Sequence, residues 1–320
     1  MSTLEKPLIR PAASLIIAAP EPLDNKENGC NYRILMMKRN AKSAFINAHV
    51  YPGGVVDKAD HYSNWDNTLG SQKERDILTN KICAIRETFE ESGLLLSHPP
   101  AHTVKDLDVN IWRHKVHDDA SQFKTMCDQF KIRPAVDTLI HFSTWITPVM
   151  EKKRFDTSFF LTVLNQNPTQ KEHDSYYKAV AADGKETVLF DWFKPEEALQ
   201  KQKEKNILLI PPQWYSLKLM QEVPDFKQLI DTAGVGSFRS KSNQVVSILP
   251  QGNPAEEGSI EASNGYGLYL SYPGDENYES KDYTSEKGNR HRLYFKGRME
   301  DFKLVKNIDV SNVIKNTSNL

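Results

Sequence analysis

Three glutamates share one face of a predicted helix: Glu87, Glu90 and Glu91. At about 100° per residue, their carboxylates fall within an arc of roughly 100°. Apolar residues fall on the opposite side: Ile82, Ile85 and Phe89. Carboxylates this close repel one another, and a hard divalent cation such as Mg²⁺ prefers such oxygen ligands and completes its shell with water and substrate phosphates. The pattern predicts a helix with one core face and one metal-binding face.

A solvated acidic helix face is the competing interpretation of these three glutamates when they are taken alone. The predicted helix covers Asn80 to Ser92 and ends at Gly93, where glycine serves as a C-terminal cap. Arg86 and Glu90 have the i, i+4 spacing of a helical ion pair. The choice between a metal site and a solvated face depends on what surrounds the helix.

Further elements must hold this helix in place. Apolar runs bounded by turn residues predict strands over 12–19, 32–38, 139–146, 155–164, 189–192, 245–249, 266–271 and 291–295. Helices are predicted over 106–130, from Pro195 onward and over 212–223. Pro52-Gly53-Gly54 predicts a tight turn. The polar stretch 61–79 is interpreted as an inserted loop.

Composition limits the classes of protein that this chain can represent. In 320 residues, a net charge of -1 and 26% charged residues favour a globular protein over a nucleic-acid binder. Three dispersed cysteines argue against a disulfide framework and a structural zinc site. No segment is long and apolar enough to predict a membrane span. Ser318-Asn319-Leu320 is a weak form of a peroxisomal signal, so the predicted compartment is the peroxisome or the cytoplasm.

The motif from Gly54 to Leu94 resembles the Nudix box. Gly54 and Asp60 are followed, after 25 residues, by Arg86-Glu87-Thr88-Phe89-Glu90-Glu91-Ser92-Gly93-Leu94. Asp60 stands where the family usually has glutamate, so the role of that position stays open. The long gap resembles a subfamily of coenzyme A diphosphatases whose Nudix box is interrupted at this point. Further stretches are similar to the same subfamily: 143–148, 154–160, 210–213 and 272–275.

The resemblance implies an α/β fold, a Nudix-type α/β/α sandwich with a mixed sheet and helical insertions. We expect a Nudix domain over residues 1–235, with insertions near 61–79 and 99–135. We expect residues 236–320 to form a C-terminal extension packed on the same domain. The insertions would then determine access to the site.

The resemblance also implies metal-dependent hydrolysis of a diphosphate bond in coenzyme A or acyl-CoA, giving 4'-phosphopantetheine or its acyl form and adenosine 3',5'-bisphosphate. Glu87, Glu90 and Glu91 would bind Mg²⁺ or Mn²⁺, with Arg86 orienting a glutamate. Substrate contacts are expected from Lys38, Arg39, Arg154, Gly53 and Gly54. For the three basic residues, a surface or ion-paired role is the alternative. Other open functions are hydrolysis of NADH, ADP-ribose or capped RNA, and a non-catalytic Nudix-like binding module.

Overall fold

The computed structural model describes most of the chain. It covers residues 8–22, 29–39, 47–66, 71–164, 180, 187–231, 239, 245, 247–297 and 299–312. The tail Ser318-Asn319-Leu320, on which the peroxisomal prediction rests, lies outside these residues. Within them, no helix combines the length and apolarity needed to cross a lipid bilayer.

The first half of the chain contributes most of the central sheet. The strands of this half are β1 (Ile9–Pro20), β2 (Tyr32–Arg39), β3 (His49–Val50), β4 (Gly53–Val55), β5 (Ser97–His98), β6 (Arg133–Pro134), β7 (Ile140–Ile146) and β8 (Arg154–Val163). Of these, β5 and β6 pair with each other in a separate two-stranded sheet. The later strands are β9 (Thr187–Phe193), β10 (Ser247–Ile248), β11 (Gln251–Pro254), β12 (Leu268–Ser271), β13 (His291–Lys296) and β14 (Glu300–Lys306).

Helices fall into an early and a late group. The early helices are α1 (Gln72–Ser92), α2 (Val109–Asp118) and α3 (Ser121–Phe130). The late helices are α4 (Pro195–Lys203), α5 (Pro211–Gln221), α6 (Phe226–Asp231) and the short α7 (Ile260–Ser263). Short 3-10 turns lie at Lys58–Asp60, Tyr62–Asn64, Ala101–Thr103, Val136–Thr138 and Val310–Asn312.

A mixed sheet lies at the centre of the fold. Its main order is β10-β7-β8-β1-β2-β3, with β4 paired to β1 and β9 paired to β2. Strand β1 runs parallel to β8 and antiparallel to β2. Every residue of β1 from Ala12 to Pro20 is buried, because a strand in the middle of a sheet covered on both sides has no solvent-facing residues.

Helices cover both faces of this sheet. Alternate residues of a strand point to opposite faces, so Leu15 of β1 packs in one apolar cluster with Phe89 of α1 and the residues of α2 and α3. The neighbouring Ile16 packs in a second cluster with Leu217 of α5 and the residues of α4. The predicted α/β/α sandwich with a mixed sheet is therefore confirmed.

Helix α1 begins at Gln72, earlier than the predicted start at Asn80. Ser71 accepts a hydrogen bond from the Glu74 N–H, and the Glu74 carboxylate accepts one from the Ser71 N–H at 3.0 Å. This is a capping box. The first turn of α1, Gln72 to Arg75, is polar and largely exposed, so it carries no apolar residue to mark the helix. The prediction of a loop over 61–79 was therefore wrong from Gln72 onward, while the predicted cap at Gly93 is confirmed at φ 78°.

The single helix predicted over 106–130 is two helices. Asp119 adopts an extended backbone between α2 and α3, with φ -152° and ψ 107°. Its carboxylate accepts a hydrogen bond from the Ser121 N–H at 2.9 Å, a local bond that competes with a continuous helix. Among the described residues of the strand predicted over 245–249, Ser247–Ile248 forms strand β10. The other predicted strands and the late helices match their predictions within a few residues.

The C-terminal residues form a second sheet that shares the main core. Its strands lie in the order β11-β12-β13-β14, all antiparallel. Tyr272, which follows β12, contacts the rings of Trp145 of β7 and Tyr215 of α5, with centroids 5.6 and 5.5 Å apart. The Tyr215 hydroxyl lies 2.8 Å from Nε2 of His291. The extension is therefore packed directly against the central sheet and α5.

A buried ion pair holds this second sheet together. Arg292 of β13 and Asp275 are both fully buried, and Arg292 Nε lies 2.8 Å from Asp275 Oδ2. The same carboxylate oxygen accepts a hydrogen bond from the His291 N–H at 2.8 Å. The outer nitrogens of Arg292 pair with Glu256 and Glu276. Asp275, which belongs to a stretch singled out in the sequence, therefore has a structural role.

We expect Asp275→Asn to lower the free energy of unfolding by about 3 kcal/mol, because it removes one partner of a buried charge pair while keeping the side-chain volume. Urea denaturation of both proteins measures the difference. The control is Asp128→Asn, which breaks an exposed i, i+4 pair with Lys124 and should have a much smaller effect. Equal losses in the two variants would contradict a structural role for Asp275.

Candidate functional site

The C-terminal half of α1 carries the glutamates, and Arg86 forms ion pairs with two of them. The Arg86 guanidinium donates to Glu90 Oε1 at 2.5 Å and lies 3.0 Å from Glu87 Oε1. It is buried, with 3% of its surface exposed. The predicted i, i+4 pair between Arg86 and Glu90 is therefore present.

Asp60 is the third carboxylate on this guanidinium. Arg86 Nε donates to Asp60 Oδ1 at 2.7 Å, and a terminal nitrogen donates to Asp60 Oδ2 at 2.8 Å. The Asp60 carboxylate also accepts a hydrogen bond from the Asp57 N–H at 2.8 Å. A planar guanidinium suits this two-pronged geometry. Asp60 thus connects the 3-10 turn Lys58–Asp60 to α1 across the long sequence gap.

The Gly53-Gly54 turn lies directly against the glutamates. The Gly53 N–H donates to Glu91 Oε2 at 2.8 Å. A Cβ at Gly54 would lie 2.5 to 2.6 Å from the carboxylate atoms of Glu87, and a Cβ at Gly53 would lie 2.4 Å from the Ala13 carbonyl oxygen. Only glycine allows β4 to approach the helix this closely.

Burial of the site disfavours the negative charges that it contains. Burial raises the pKa of Glu87 to about 7, against the opposing effect of Arg86. Burial also raises the pKa of Glu90. Three carboxylates (Asp60, Glu87 and Glu90) contact the one Arg86 guanidinium, so the cluster has more carboxylates than its own arginine can pair by charge.

Helix α2 fixes the end of the glutamate helix. Arg113 of α2 is buried and donates from Nε to the Glu90 carbonyl oxygen at 2.8 Å, and its terminal nitrogen donates to the Glu91 carbonyl oxygen. These carbonyls belong to the last turn of α1, where the helix supplies no N–H partners. Nδ1 of His117, one turn further along α2, lies 3.8 Å from Glu90 Oε2.

A large cavity opens beside the Gly53-Gly54 turn. Its volume is about 740 Å³. The apolar and aromatic part of its wall includes Val50, Tyr51, Trp145, Ile146, Pro148, Phe155, Phe159, Ile210, Pro211, Pro212, Pro250 and Leu270. Its polar and charged part includes Ser14, Arg39, His117, Thr147, Glu151, Lys153, Thr157 and Gln213. A mainly apolar cavity with a few polar groups is the usual form of a small-molecule site.

The cavity brings together some of the predicted substrate contacts. Arg39, Gly53 and Gly54 line it. Lys38 instead lines a separate cavity of about 270 Å³ beside His49, because neighbouring residues of β2 point to opposite faces.

Arg154 also lies outside the lining of the large cavity. It is buried at the start of β8, and its Nε donates to the Thr147 carbonyl oxygen at 3.0 Å. The cavity is lined by Phe155 and Thr157 of the same strand. Arg154 therefore supports the turn between β7 and β8.

Several residues of the site carried no decisive signal in the sequence. Asp60 occupied a motif position, but its change from glutamate hid its role. Arg113 and His117 lie in α2, where no motif marks them. Gln213 lies in the stretch 210–213, which is similar to the subfamily, but the sequence predicts no role for this residue.

The donor set suits a hard divalent cation. Within the described residues, no three histidine, cysteine, aspartate or glutamate side chains converge as a preformed metal cage. Mg²⁺ commonly uses only one or two carboxylates and takes its remaining ligands from water and substrate phosphates. The excess of carboxylates over arginine favours a cation at this place, because an opposite charge stabilises the ionised carboxylates.

The class of protein follows from the fold and this helix-and-turn site. A solved Nudix hydrolase from Alicyclobacillus acidocaldarius matches with a TM-score of 0.56 at 18% identity, over 72% of this chain and 98% of that chain. The fold is therefore the Nudix fold. A family model described as the NUDT19 Nudix domain matches residues 9–78 and 72–220. The chain belongs to this family of Nudix hydrolases, which generally use a divalent metal ion.

Two curated relatives illustrate the similarity. The acyl-coenzyme A diphosphatase NUDT19 of Xenopus laevis is 34% identical over 241 residues, which cover 61% of this chain and 61% of that protein. The acyl-coenzyme A diphosphatase NUDT19 of Gallus gallus is 29% identical over 369 residues, which cover 97% of this chain and 90% of that protein. The similarity to the frog protein thus spans less than two thirds of its length.

We expect Gly54→Ala to lower the rate of diphosphate hydrolysis about 100-fold, because the new methyl group displaces the Glu87 carboxylate and a small misplacement of a reacting group has an effect of this size. The displaced atoms end a flexible side chain, so the melting temperature should change little. Hydrolysis rate and thermal unfolding are measured together.

Two other glycines provide the comparison for this variant. Gly53→Ala should prevent stable folding, because its Cβ would meet backbone atoms, whereas Gly252→Ala has nothing within 4 Å and should retain activity. Wild-type activity in Gly54→Ala would contradict the placement of Glu87 in the active site.

We expect Arg113→Met to lower the turnover rate about tenfold and to speed hydrogen exchange at the amides of residues 90–93, because the last carbonyls of α1 lose their buried donor. Mass spectrometry after deuterium labelling measures the exchange. Lys115→Met, an exposed change on the same helix, is the control. Unchanged exchange at residues 90–93 would show that Arg113 does not hold this end of α1.

Proposed function

We propose that this protein hydrolyses the diphosphate bond of coenzyme A and acyl-CoA, giving 4'-phosphopantetheine or its acyl form and adenosine 3',5'-bisphosphate. The observation that carries the proposal is that the Gly53-Gly54 turn lines a large, mainly apolar cavity and donates a hydrogen bond to Glu91 of the glutamate helix. The two relatives, both named acyl-coenzyme A diphosphatases, support the same substrate class.

The cavity suits both ends of such a substrate. Arg39 and Lys153 are cations in its lining and can attract phosphate groups. The aromatic and proline side chains around Trp145 and Phe159 offer apolar contact to the pantetheine arm and an acyl chain. A diphosphate placed beside Gly53 and Gly54 would lie next to the glutamates.

The site residues have distinct parts in the proposed reaction. Glu87, Glu90 and Glu91 would hold Mg²⁺ or Mn²⁺, which when bound supplies Lewis acidity towards the phosphoryl oxygens. Arg86 and Asp60 fix the rotamers of the glutamates, and the Gly53 N–H orients Glu91.

In the reaction, a bond forms between a water oxygen and one phosphorus while the bridging phosphorus–oxygen bond breaks. One of the three glutamates accepts a proton of the water, and the bridging oxygen leaves with the other phosphate. The backbone at Gly53 and Gly54 carries no side chain that would keep the substrate away from the carboxylates.

We expect CoA and acyl-CoA to be cleaved with a higher kcat/KM than NADH, ADP-ribose or capped RNA in the presence of magnesium. Glu91→Gln should lower kcat by about 100-fold or more while keeping the melting temperature, because the amide oxygen can still accept the Gly53 N–H but the charge is lost. Chromatography identifies the products and gives the rates.

The panel separates the alternatives. Preference for another diphosphate, with Glu91→Gln still inactive, would overturn the substrate and leave the mechanism. If neither protein cleaved any compound with magnesium or manganese, a binding module would replace the enzyme. Asp128→Asn, far from the cavity lining, controls for nonspecific effects of a lost carboxylate.

A further inference from the structure

The turn between β7 and β8 places two apolar side chains in solvent. The Glu151 N–H donates to the Pro148 carbonyl oxygen at 3.1 Å, so Val149 and Met150 are the two central residues of a β-turn. Their exposed fractions are 65% and 88%. Glycine, proline, asparagine, aspartate and serine are the residues that dominate in turns. The turn itself therefore does not explain two adjacent apolar side chains at its tip.

The same turn forms part of the rim of the large cavity. Pro148 lines the cavity just before the apolar pair, and Glu151 and Lys153 line it just after. Glu151 and Lys153 are themselves exposed, which places this part of the lining at the opening of the cavity. Consecutive Cα atoms are about 3.8 Å apart, so Val149 and Met150 each lie next to a residue of the rim.

Hydrogen bonds hold the base of this turn against the cavity. The Thr147 N–H donates to the Phe155 carbonyl oxygen at 2.9 Å, and the Phe155 N–H donates to Thr147 Oγ1 at 3.0 Å. Arg154 Nε donates to the Thr147 carbonyl oxygen at 3.0 Å. Thr147 and Phe155 both line the cavity. The base of the turn is therefore part of the cavity wall, and the apolar tip extends from it by only a few residues.

Apolar residues lead from the interior of the cavity to this rim. Trp145, Ile146 and Pro148 line the cavity, and Val149 and Met150 continue the same stretch of chain into solvent. The cavity volume of about 740 Å³ is of the size that encloses a drug-sized ligand. A long-chain acyl-CoA is larger than such a ligand, so part of it must extend past the rim.

The polar residues of the cavity wall do not compete for such an extension. A hydrocarbon chain forms no hydrogen bonds, so it gains stability only from apolar surface that it removes from water. The charged residues Glu151 and Lys153 follow the apolar pair directly. The methylene stem of Lys153 can add to the apolar surface while its ammonium group stays in water or binds an anion.

We propose that Val149 and Met150 contact the acyl chain of the substrate where it leaves the cavity, and thereby determine how the rate of hydrolysis depends on chain length. The inference rests on the proposed function and deepens it, because it assigns the apolar end of an acyl-CoA to one part of the rim. Each methylene group that packs on the pair is removed from water, which favours binding. A substrate without an acyl chain gains nothing from the pair.

The double variant Val149→Thr/Met150→Gln tests this contact at nearly constant side-chain size, because threonine has the shape of valine and glutamine nearly the length of methionine. The kcat/KM is measured for CoA and for acyl-CoA compounds of increasing chain length, below the concentration at which they form micelles. The value for CoA should stay the same. The value for a long-chain acyl-CoA should fall roughly fivefold through a higher KM, and the loss should grow with chain length.

Ile260→Gln is the matched control for this variant. Ile260 is an apolar residue with a similar exposed fraction, 72%, and it lies outside the cavity lining. The control should leave every kcat/KM value unchanged. Both variants should melt at the temperature of the wild type, because substitutions of solvent-exposed side chains usually have small effects on stability. The long-chain assay is also repeated with the substrate held in phosphatidylcholine vesicles.

Each other outcome overturns the inference in a different way. An equal loss for CoA and for every acyl-CoA would mean that the turn acts on the part common to all of them. Unchanged values at every chain length would mean that the chain does not reach the pair. A loss seen only with vesicles would assign the pair to contact with a lipid surface. If the wild type cleaves CoA but no acyl-CoA, this inference falls alone, and if it cleaves neither, the proposed function falls with it.

Discussion

The buried guanidinium of Arg86 is the contact on which the rest of the site depends. It reaches Asp60 with two nitrogens and also pairs with Glu87 and Glu90. A lysine in its place would present a single ammonium and could not hold three carboxylates in a planar arrangement. Because burial alone would lower the pKa of Arg86, the hydrogen bonds and charges of Asp60 and Glu87 are what keep it raised and the group charged.

This contact also explains how the site tolerates a long interruption of its motif. The chain leaves Asp60, passes through a short 3-10 turn, and returns as the extra turns of α1 before it reaches Arg86. The ion pair between Arg86 and Asp60 then joins the two ends of this long segment. Since the cost of closing a loop rises only slowly with its length, the insertion can extend α1 without moving the glutamates relative to Gly53 and Gly54.

Prediction from sequence succeeded where a local signal was strong. The period of Ile82, Ile85 and Phe89 identified the buried face of α1, and Gly93 marked its end. It failed where the deciding contact was distant: Asp60 and Arg113 act on α1 from separate segments. Lys38 and Arg154 were predicted to contact substrate because of their charge. The direction in which their side chains leave β2 and β8 places both outside the large cavity. The early start of α1 was missed because its capping box precedes a first turn without apolar residues.

The packing of the C-terminal sheet has a consequence for how this protein can change. Leu270 of β12 and Trp145 of β7 both line the large cavity, and Tyr272 joins the second sheet to Trp145 and Tyr215. Part of the cavity wall thus comes from a segment beyond the residues matched by the Nudix family model. Substitutions in that segment can reshape what the cavity accepts while the glutamate helix stays as it is. Part of the ligand range can thereby evolve through a stretch of chain separate from the glutamate helix, while most of the wall, including Tyr51 and Trp145, lies within the residues matched by the family model.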